Sequence, residues 1–387
     1  MNTFLKEWKN NNDYFQLLEL MARLSNLFSD NTIPYLNYRV TENLFCKYFD
    51  AENLSRTDTA YDAKKDSFGV GIKTFQLNND SSVEKVAEFN AISKFLNQYK
   101  GADLAYQVAK ARNDRMELGK RLYAINCGCY HIIGRVPKGL IVFNSEYPQI
   151  NISKIHSVVD TGKTLRFEDD KDFYSFNYSK STLFKRFVVP SERKEIPVSI
   201  IQDPYEVLRK LIDTEDYTGK DSAVSKLHEV MQDKLVKSLT SLKRGENYVV
   251  LPLFSERFHN VPEKSGLNQW NASGRDRNPD EVYIPIPKAL HDSYPTFFPE
   301  RDVPFYLRLP NGEIISAKVC QDDRKALMSN PNRSLGKWIL RDVLKLKEGE
   351  LLTLDLLDRM GFNSVSVFKD DETHYRIDVC MLPYEGY

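Results

Sequence analysis

The sequence predicts an α/β (or α+β) front half with a central mixed sheet, followed by an all-β rear half built as a sandwich or small barrel. Three observations carry this. Helix-spaced apolar residues alternate with strand-like runs as far as residue 190. From 191 to 245 the composition turns charged and helical, which reads as a connector. From 246 to 387 short strand-like runs are separated by Pro, Gly, Asn and Asp, the punctuation of a sandwich or barrel. A chain of 387 residues fits two domains at roughly 100–200 residues each, here 1–190 and 246–387.

Each element has its own signal. Phe15, Leu17, Leu18, Leu20, Met21, Leu24, Leu27 and Phe28 recur at helical spacing between Tyr14 and Phe28. Thr41 is the expected N-cap of a second helix carrying Leu44, Phe45, Tyr48 and Phe49. From Asp62 to Gln76 two extended pieces are expected, the second with Val70, Ile72 and Thr74 alternating with Gly69, Gly71 and Lys73. Helices are expected over Ser82–Tyr99 and Ala102–Leu122, a strand over Gly139–Phe143, and antiparallel strands between Lys163 and Phe187. In the connector, Val224, Leu227, Val230, Met231, Leu235 and Leu239 keep three- and four-residue intervals. In the rear half YVVLPLF, EVYIPIP, FYLRLP, EIISAKVC, KWILRDVL, LLTLDLL, SVSVF and YRIDVC all read as strands.

Composition removes several classes of function. Apolar residues make up 41% and charged residues 28%, and no run approaches the ~20 consecutive apolar residues that a membrane span needs. The opening MNTFLKEWKNNNDYF carries acid and amide residues where an export signal places its apolar run, so a cytoplasmic protein with no membrane partner is expected. Cys46, Cys127, Cys129, Cys320 and Cys380 are scattered and lack histidines at zinc spacing; they read as reduced thiols. Neither GxGxxG nor GxxxxGK[ST] occurs, which argues against a nucleotide-binding metabolic enzyme. With 54 basic and 54 acidic residues the net charge is zero, so any grip on a polyanion must come from local patches.

Phosphodiester cleavage uses divalent cations held by hard oxygen ligands, often beside a lysine near the attacking water. Asp62 precedes the strand that bears Gly71-Ile72-Lys73. A lone Asp after Tyr61 is usually a turn residue, and a strand Lys usually faces solvent. The glycine-flanked strand sets this pair apart, because it admits close approach of backbone or substrate. The arrangement resembles the PD-(D/E)xK nucleases, with Gly71 standing where the family has an acid. The resemblance implies a substitute ligand from the helix after the lysine. Glu88 is that candidate, with Glu84 one turn earlier as the fallback. Glu42 could add a further acid, as an N-terminal-helix glutamate does in that superfamily. The expected catalytic set is therefore Lys73, Asp62, Glu88 and Glu42, with Asp62 and Glu88 as ligands of Mg²⁺. Gln76 reads as a strand end, and Lys64 with Lys65 as a solvated turn.

Two rear segments, Lys264–Arg275 and Ala326–Arg341, combine amide, basic and aromatic residues and contain no acid up to Arg341. Arg and Lys suit guanine edges or phosphates, and Asn and Gln suit adenine. Expected DNA contacts are Asn268, Gln269, Trp270, Asn271, Arg275 and Arg277 in one arm. Arg324, Lys325, Asn330, Asn332, Arg333 and Lys337 form the other, with Trp338 packed beneath it.

The stretches SGLNQWNASGRDRNPDEVYIPIP and FFPERDVPFYLRLPNGEIISAKVCQDDRKALMSNPNRSLGKWILRDVL resemble the recognition domain of type II restriction endonucleases related to the plant B-three-type and EcoRII-effector pseudobarrels. That resemblance runs from about Tyr248 onward. It implies a pseudobarrel whose two arms straddle the major groove of double-stranded DNA. It further implies a separately encoded methyltransferase, a homodimer when both strands are cut, and 5′-phosphate ends. Some relatives instead carry a metal-independent HxK nuclease, but none of the six histidines has a lysine two residues later. The rival expectations are a non-catalytic sequence-specific DNA-binding protein and a metabolic α/β enzyme.

Overall fold

The computed structural model describes residues 4, 7–54, 59–213, 247–268 and 278–382. Helix α1 (Asn12–Arg23) begins at Asn11, whose side chain accepts from the Tyr14 amide. Helix α2 (Tyr38–Tyr48) is capped by Asn37, whose Oδ1 accepts from the Arg39 amide at 2.9 Å. Thr41, the expected cap, lies inside the helix and donates its hydroxyl to the Tyr38 carbonyl. Asn37 wins because it holds extended backbone with a short side-chain acceptor, the combination an N-cap requires.

Six strands form the first sheet: β1 (Glu52–Asn53), β2 (Ala63–Lys65), β3 (Phe68–Gln76), β5 (Cys127–Val136), β6 (Gly139–Glu146) and β11 (Lys194–Pro197), adjacent in that order. Neighbours run antiparallel except β3 and β5, which are parallel and in register from Phe68↔Cys127 to Gln76↔Arg135. A parallel pair needs a crossover, and here it holds helix α3 (Gly101–Tyr123). Strand β11 pairs with β6, so sheet pairing runs beyond residue 190 into the start of the stretch read as a connector. Helix α4 (Pro204–Asp213) follows. The helical pattern expected from Val224 to Leu239 lies outside the described residues.

The helix expected over Ser82–Tyr99 is instead strand β4 (Ser81–Glu88) followed by short helical turns at Asn90–Leu96. Strand β4 pairs antiparallel with β10 (Thr182–Val188) at one edge of a second sheet, which continues through β9 (Phe173–Asn177), β8 (Thr164–Glu168) and β7 (His156–Asp160). Val83 and Val86 match a helical interval, but strand pairing satisfies this backbone and decides the outcome.

On one face of the first sheet, Tyr14, Phe15, Leu18 and Phe45 pack over Val70, Ile72, Ile133 and Val142. On the other, Phe75, Tyr130, Ile132 and Phe143 meet Phe187 of the second sheet. Helix α3 joins two cores. Leu104, Val108 and Ala109 bury against Leu165, Phe176 and Leu183, while Leu118, Leu122 and Tyr123 enter the core of the rear half. Arg121 Nε donates to the Val343 carbonyl at 2.9 Å, and the Tyr123 hydroxyl to Asp378 at 2.8 Å.

The rear half is a seven-stranded sheet in the order β12 (Tyr248–Pro252), β17 (Ser364–Lys369), β18 (His374–Cys380), β14 (Phe305–Arg308), β15 (Ile314–Cys320), β16 (Ala326–Ser329) and β13 (Tyr283–Pro285). Its edge strands β12 and β13 approach each other, so the sheet nearly closes into a barrel. Two expected strands are helical. KWILRDV forms a π-helical turn at Lys337–Val343, burying Trp338, Ile339, Leu340 and Val343. LLTLDLL contributes to helix α5 (Leu354–Met360), capped by the Thr353 side chain and ended by Gly361 at positive φ. Both runs are apolar on successive residues, a pattern that a buried helix and a buried strand share.

Candidate active site and nucleic-acid interface

Asp62 enters the first sheet one residue before β2. Its backbone amide donates to the Val70 carbonyl at 2.9 Å, and its Oδ2 accepts from the Ile72 amide at 2.7 Å. The same oxygen lies 3.8 Å from Lys73 Nζ, with the two side chains 24% and 30% exposed. Partial burial pulls the Lys73 pKa down, but Asp62, Tyr130 and Glu42 outweigh it, so the ammonium is held more firmly protonated than usual.

Glu42 comes from the buried side of α2 and pairs with Arg39 at 3.1 Å. One turn on, burial first, then the charges of Glu42 and Asp62, push the Cys46 thiol up to about 12. Cys46 and Lys73 thus each sense both acids, which sets Asp62, Glu42 and Lys73 in one neighbourhood. A Cβ at Gly71 would lie 3.0 Å from the Tyr130 ring and 3.3 Å from that of Tyr147. Aromatic rings fill the place where the PD-(D/E)xK pattern has its acid.

Glu88 stands at the end of strand β4, half exposed and paired with Lys85 at 3.1 Å. The helix expected to carry it is a strand here, and Glu88 is not among the charges that move Lys73. Glu84, on the same strand, does sense Lys73. Burial raises its carboxyl, while a hydrogen bond from the Ser82 hydroxyl and the charges of Arg135 and Lys73 oppose the rise. Gln76 is exposed at the strand end and reaches Asn78. Lys65 pairs with Asp50 at 2.7 Å, and Lys64 lies 3.8 Å from Glu52. Among the described residues no three His, Cys, Asp or Glu side chains gather to hold a metal ion by themselves, and none of the five cysteines is in a disulfide.

In the rear half the second expected arm is divided by β16. Arg324 and Lys325 precede that strand, whereas Asn330, Asn332, Arg333 and Lys337 follow it. Antiparallel pairing of Tyr283↔Met328 brings Asn278–Val282, which lead into β13, to the same end of the sheet as Asn330. Arg324 is engaged by the Pro295 carbonyl and by Glu300. Lys325, Asn330, Arg333 and Lys337 are exposed and Asn332 half-buried. None of these five side chains has a partner among the described residues. Trp338, next to Lys337 in the chain, is only 3% exposed and belongs to the core of the rear half. The Asn268 amide is committed to the fold, donating to the Pro262 and Leu352 carbonyls and accepting from the Leu352 amide. Gln269, Trp270, Asn271, Arg275 and Arg277 lie outside the described residues.

Arg341, inside a run that reads as a strand, ties the two segments together. It bonds Asp280 at 2.8 Å and also the carbonyls of Pro279, Leu346 and Lys347. Its signal was helical spacing from Trp338, which the strand reading hid. Close by, a Cβ at Gly336 would sit 2.0 Å from the Asp280 carbonyl oxygen, so only glycine lets the segments meet.

The nearly closed sheet carries, after β16, basic and amide side chains without partners among the described residues, an arrangement suited to a polyanion. Residues 248–371 match the family model of the NgoFVII C-terminal B3-like DNA-binding domain. Residues 248–371 are therefore a B3-like DNA-binding domain of restriction-enzyme type, which supports DNA as the partner. No curated protein matches the chain. Among the described residues no helix is long and apolar enough to cross a membrane.

Proposed function

We propose that the chain is a type II restriction endonuclease whose rear domain reads a short duplex site while the front domain hydrolyses a phosphodiester with Mg²⁺. The observation that carries this is Lys73, held 3.8 Å from Asp62 and within the field of Glu42, in a chain that also bears a DNA-binding domain. Mg²⁺ takes one or two protein carboxylates and completes its shell with water and substrate phosphate. Asp62 and Glu42 are such a pair of hard donors. When bound, the ion would supply charge stabilisation at the phosphate and an acidified water. Because Lys73 stays protonated, its part is to orient that water and to balance charge developing on the phosphoryl oxygens, not to accept a proton. Cutting both strands of a symmetric site calls for two such centres and so for a homodimer on DNA, with a separate methyltransferase protecting the host sites.

The test is digestion of a plasmid of known sequence with and without Mg²⁺. Discrete fragments from wild type, lost in Asp62→Ala and Lys73→Ala, are expected; normal cutting by both variants refutes this site. A second reading, a DNA-binding regulator with a decayed centre, draws on the Tyr130 and Tyr147 rings that occupy the acid's place beside Gly71. It requires specific duplex binding with no cleavage under any divalent cation.

A further inference from the structure

Where the two domains meet, a cleft of about 470 Å³ is lined by residues of both, among them Lys64, Glu52, Tyr123, Arg308, Arg376 and Asp378. Its cations are arranged at a cost. Arg308 and Arg376 stand in register on the parallel neighbours β14 and β18, so two guanidinium groups flank each other. Like charges on directly opposed strand positions destabilise a sheet unless something negative lies between or over them. Arg376 meets Asp370 at 2.9 Å and stacks over Phe368. Arg308 is exposed and has no partner among the described residues. Lys64 is only 14% exposed and reaches Glu52 at 3.8 Å, a loose pairing for a mostly buried ammonium. Burial pushes Asp378 up to about 7, so near neutrality this carboxyl cancels only part of the positive field.

Position matters as much as charge. Lys64 follows Asp62 by two residues along β2, roughly 7 Å of extended chain. On the other side, the turn after Arg308 lies at the sheet end where Asn330 hydrogen-bonds Ser316 at 2.8 Å, the edge that carries Arg333 and Lys337. The cleft therefore sits between the reading edge and the candidate catalytic acid.

We propose that Lys64, Arg308 and Arg376 form a phosphate-binding cleft that grips the DNA backbone between the reading edge and Asp62. The DNA partner follows from the rear domain, while the catalytic end of this path rests on the nuclease reading above. The contact is to phosphate and carries no sequence information, so it sets affinity and register, not base choice.

The test compares full-length wild type with a Lys64→Ala/Arg308→Ala double variant, measuring affinity for a long mixed-sequence duplex against salt in the presence of chelator. The slope of log affinity on log salt is expected to become shallower by about 0.9 for each phosphate contact removed. The charge-keeping pair Lys64→Arg/Arg308→Lys should restore it. An unchanged slope in the alanine variant overturns the cleft, as does a charge-keeping pair that fails like the alanine one. Stabilisation by inorganic phosphate that disappears in the variant while the duplex slope stays put would make this a free-anion site, and also overturns it. The two readings fail separately: a wild type that binds but never cuts removes the nuclease and leaves the cleft, whereas an unchanged slope removes the cleft and leaves cutting intact.

Discussion

In the front domain Lys73 and Asp62 lie 3.8 Å apart with about three-quarters of each side chain covered, and Glu42 is buried within the same field. At the rear edge Arg333 and Lys337 are exposed and paired with nothing among the described residues. The same residue types are thus used in opposite ways. Half-buried charges perturb one another and acquire a fixed protonation state, which is what chemistry on a bond needs. Free charges on a rigid edge keep their hydration until a partner strips it, which is what recognition of a polyanion needs.

Four outcomes would break or sharpen this contrast. Trp338→Ala should cost about 3–5 kcal/mol, because it empties a buried site in the core of the rear half. Urea unfolding measures it, and a loss near zero would mean the edge does not depend on its core. Lys73→Ala should lower Mg²⁺-dependent cleavage by ~10²–10³-fold while duplex affinity holds, since the charge it balances develops only in the transition state. Gel-shift and digestion on the same preparation separate the two.

The third outcome concerns His131, fully buried with its ring nitrogens at the Tyr14 hydroxyl (2.9 Å) and Asn144 Oδ1 (2.7 Å). Burial lowers its pKa to about 4 against the hydrogen bond of Asn144. The unfolded chain takes up the proton near pH 6.5 and the folded chain only near 4. Stability is therefore fully present above that window and is lost as pH falls through it, by about 3 kcal/mol. Unfolding at pH 7 and pH 5 should show about 2 kcal/mol of that loss in wild type and less in His131→Asn. Smallest, Arg333→Ala should weaken duplex binding by about 1–3 kcal/mol without altering the front domain's unfolding. Equal affinity would remove Arg333 from the interface.

Much of this contrast was legible in the sequence where the signal was local. Alternation around Gly69, Gly71 and Lys73 describes a strand directly, and Asp62 falls at its neighbour's start because a short turn at Asp66–Ser67 fixes the register. Glu88 was misread because Val83, Val86 and Phe89 keep a helical interval, and only the pairing with Thr182–Val188, nearly a hundred residues away, makes the segment a strand. The split of the second basic arm was hidden for the same reason. Ala326–Ser329 is four residues long, and its strand character comes from β15 and β13 on either side. That Tyr130 and Tyr147 would occupy the space at Gly71 is a property of the parallel register with β5, which no spacing in the sequence encodes.

Helix α3 begins in one core and finishes in another, with Arg121 and Tyr123 bonded across the junction. The offset between Asp62 and the reading edge is consequently a length set by folded backbone and not by a tether. On the nuclease reading proposed above, the cut would fall a fixed number of base pairs from the site read, and loosening Leu118 or Leu122 would blur it before abolishing it.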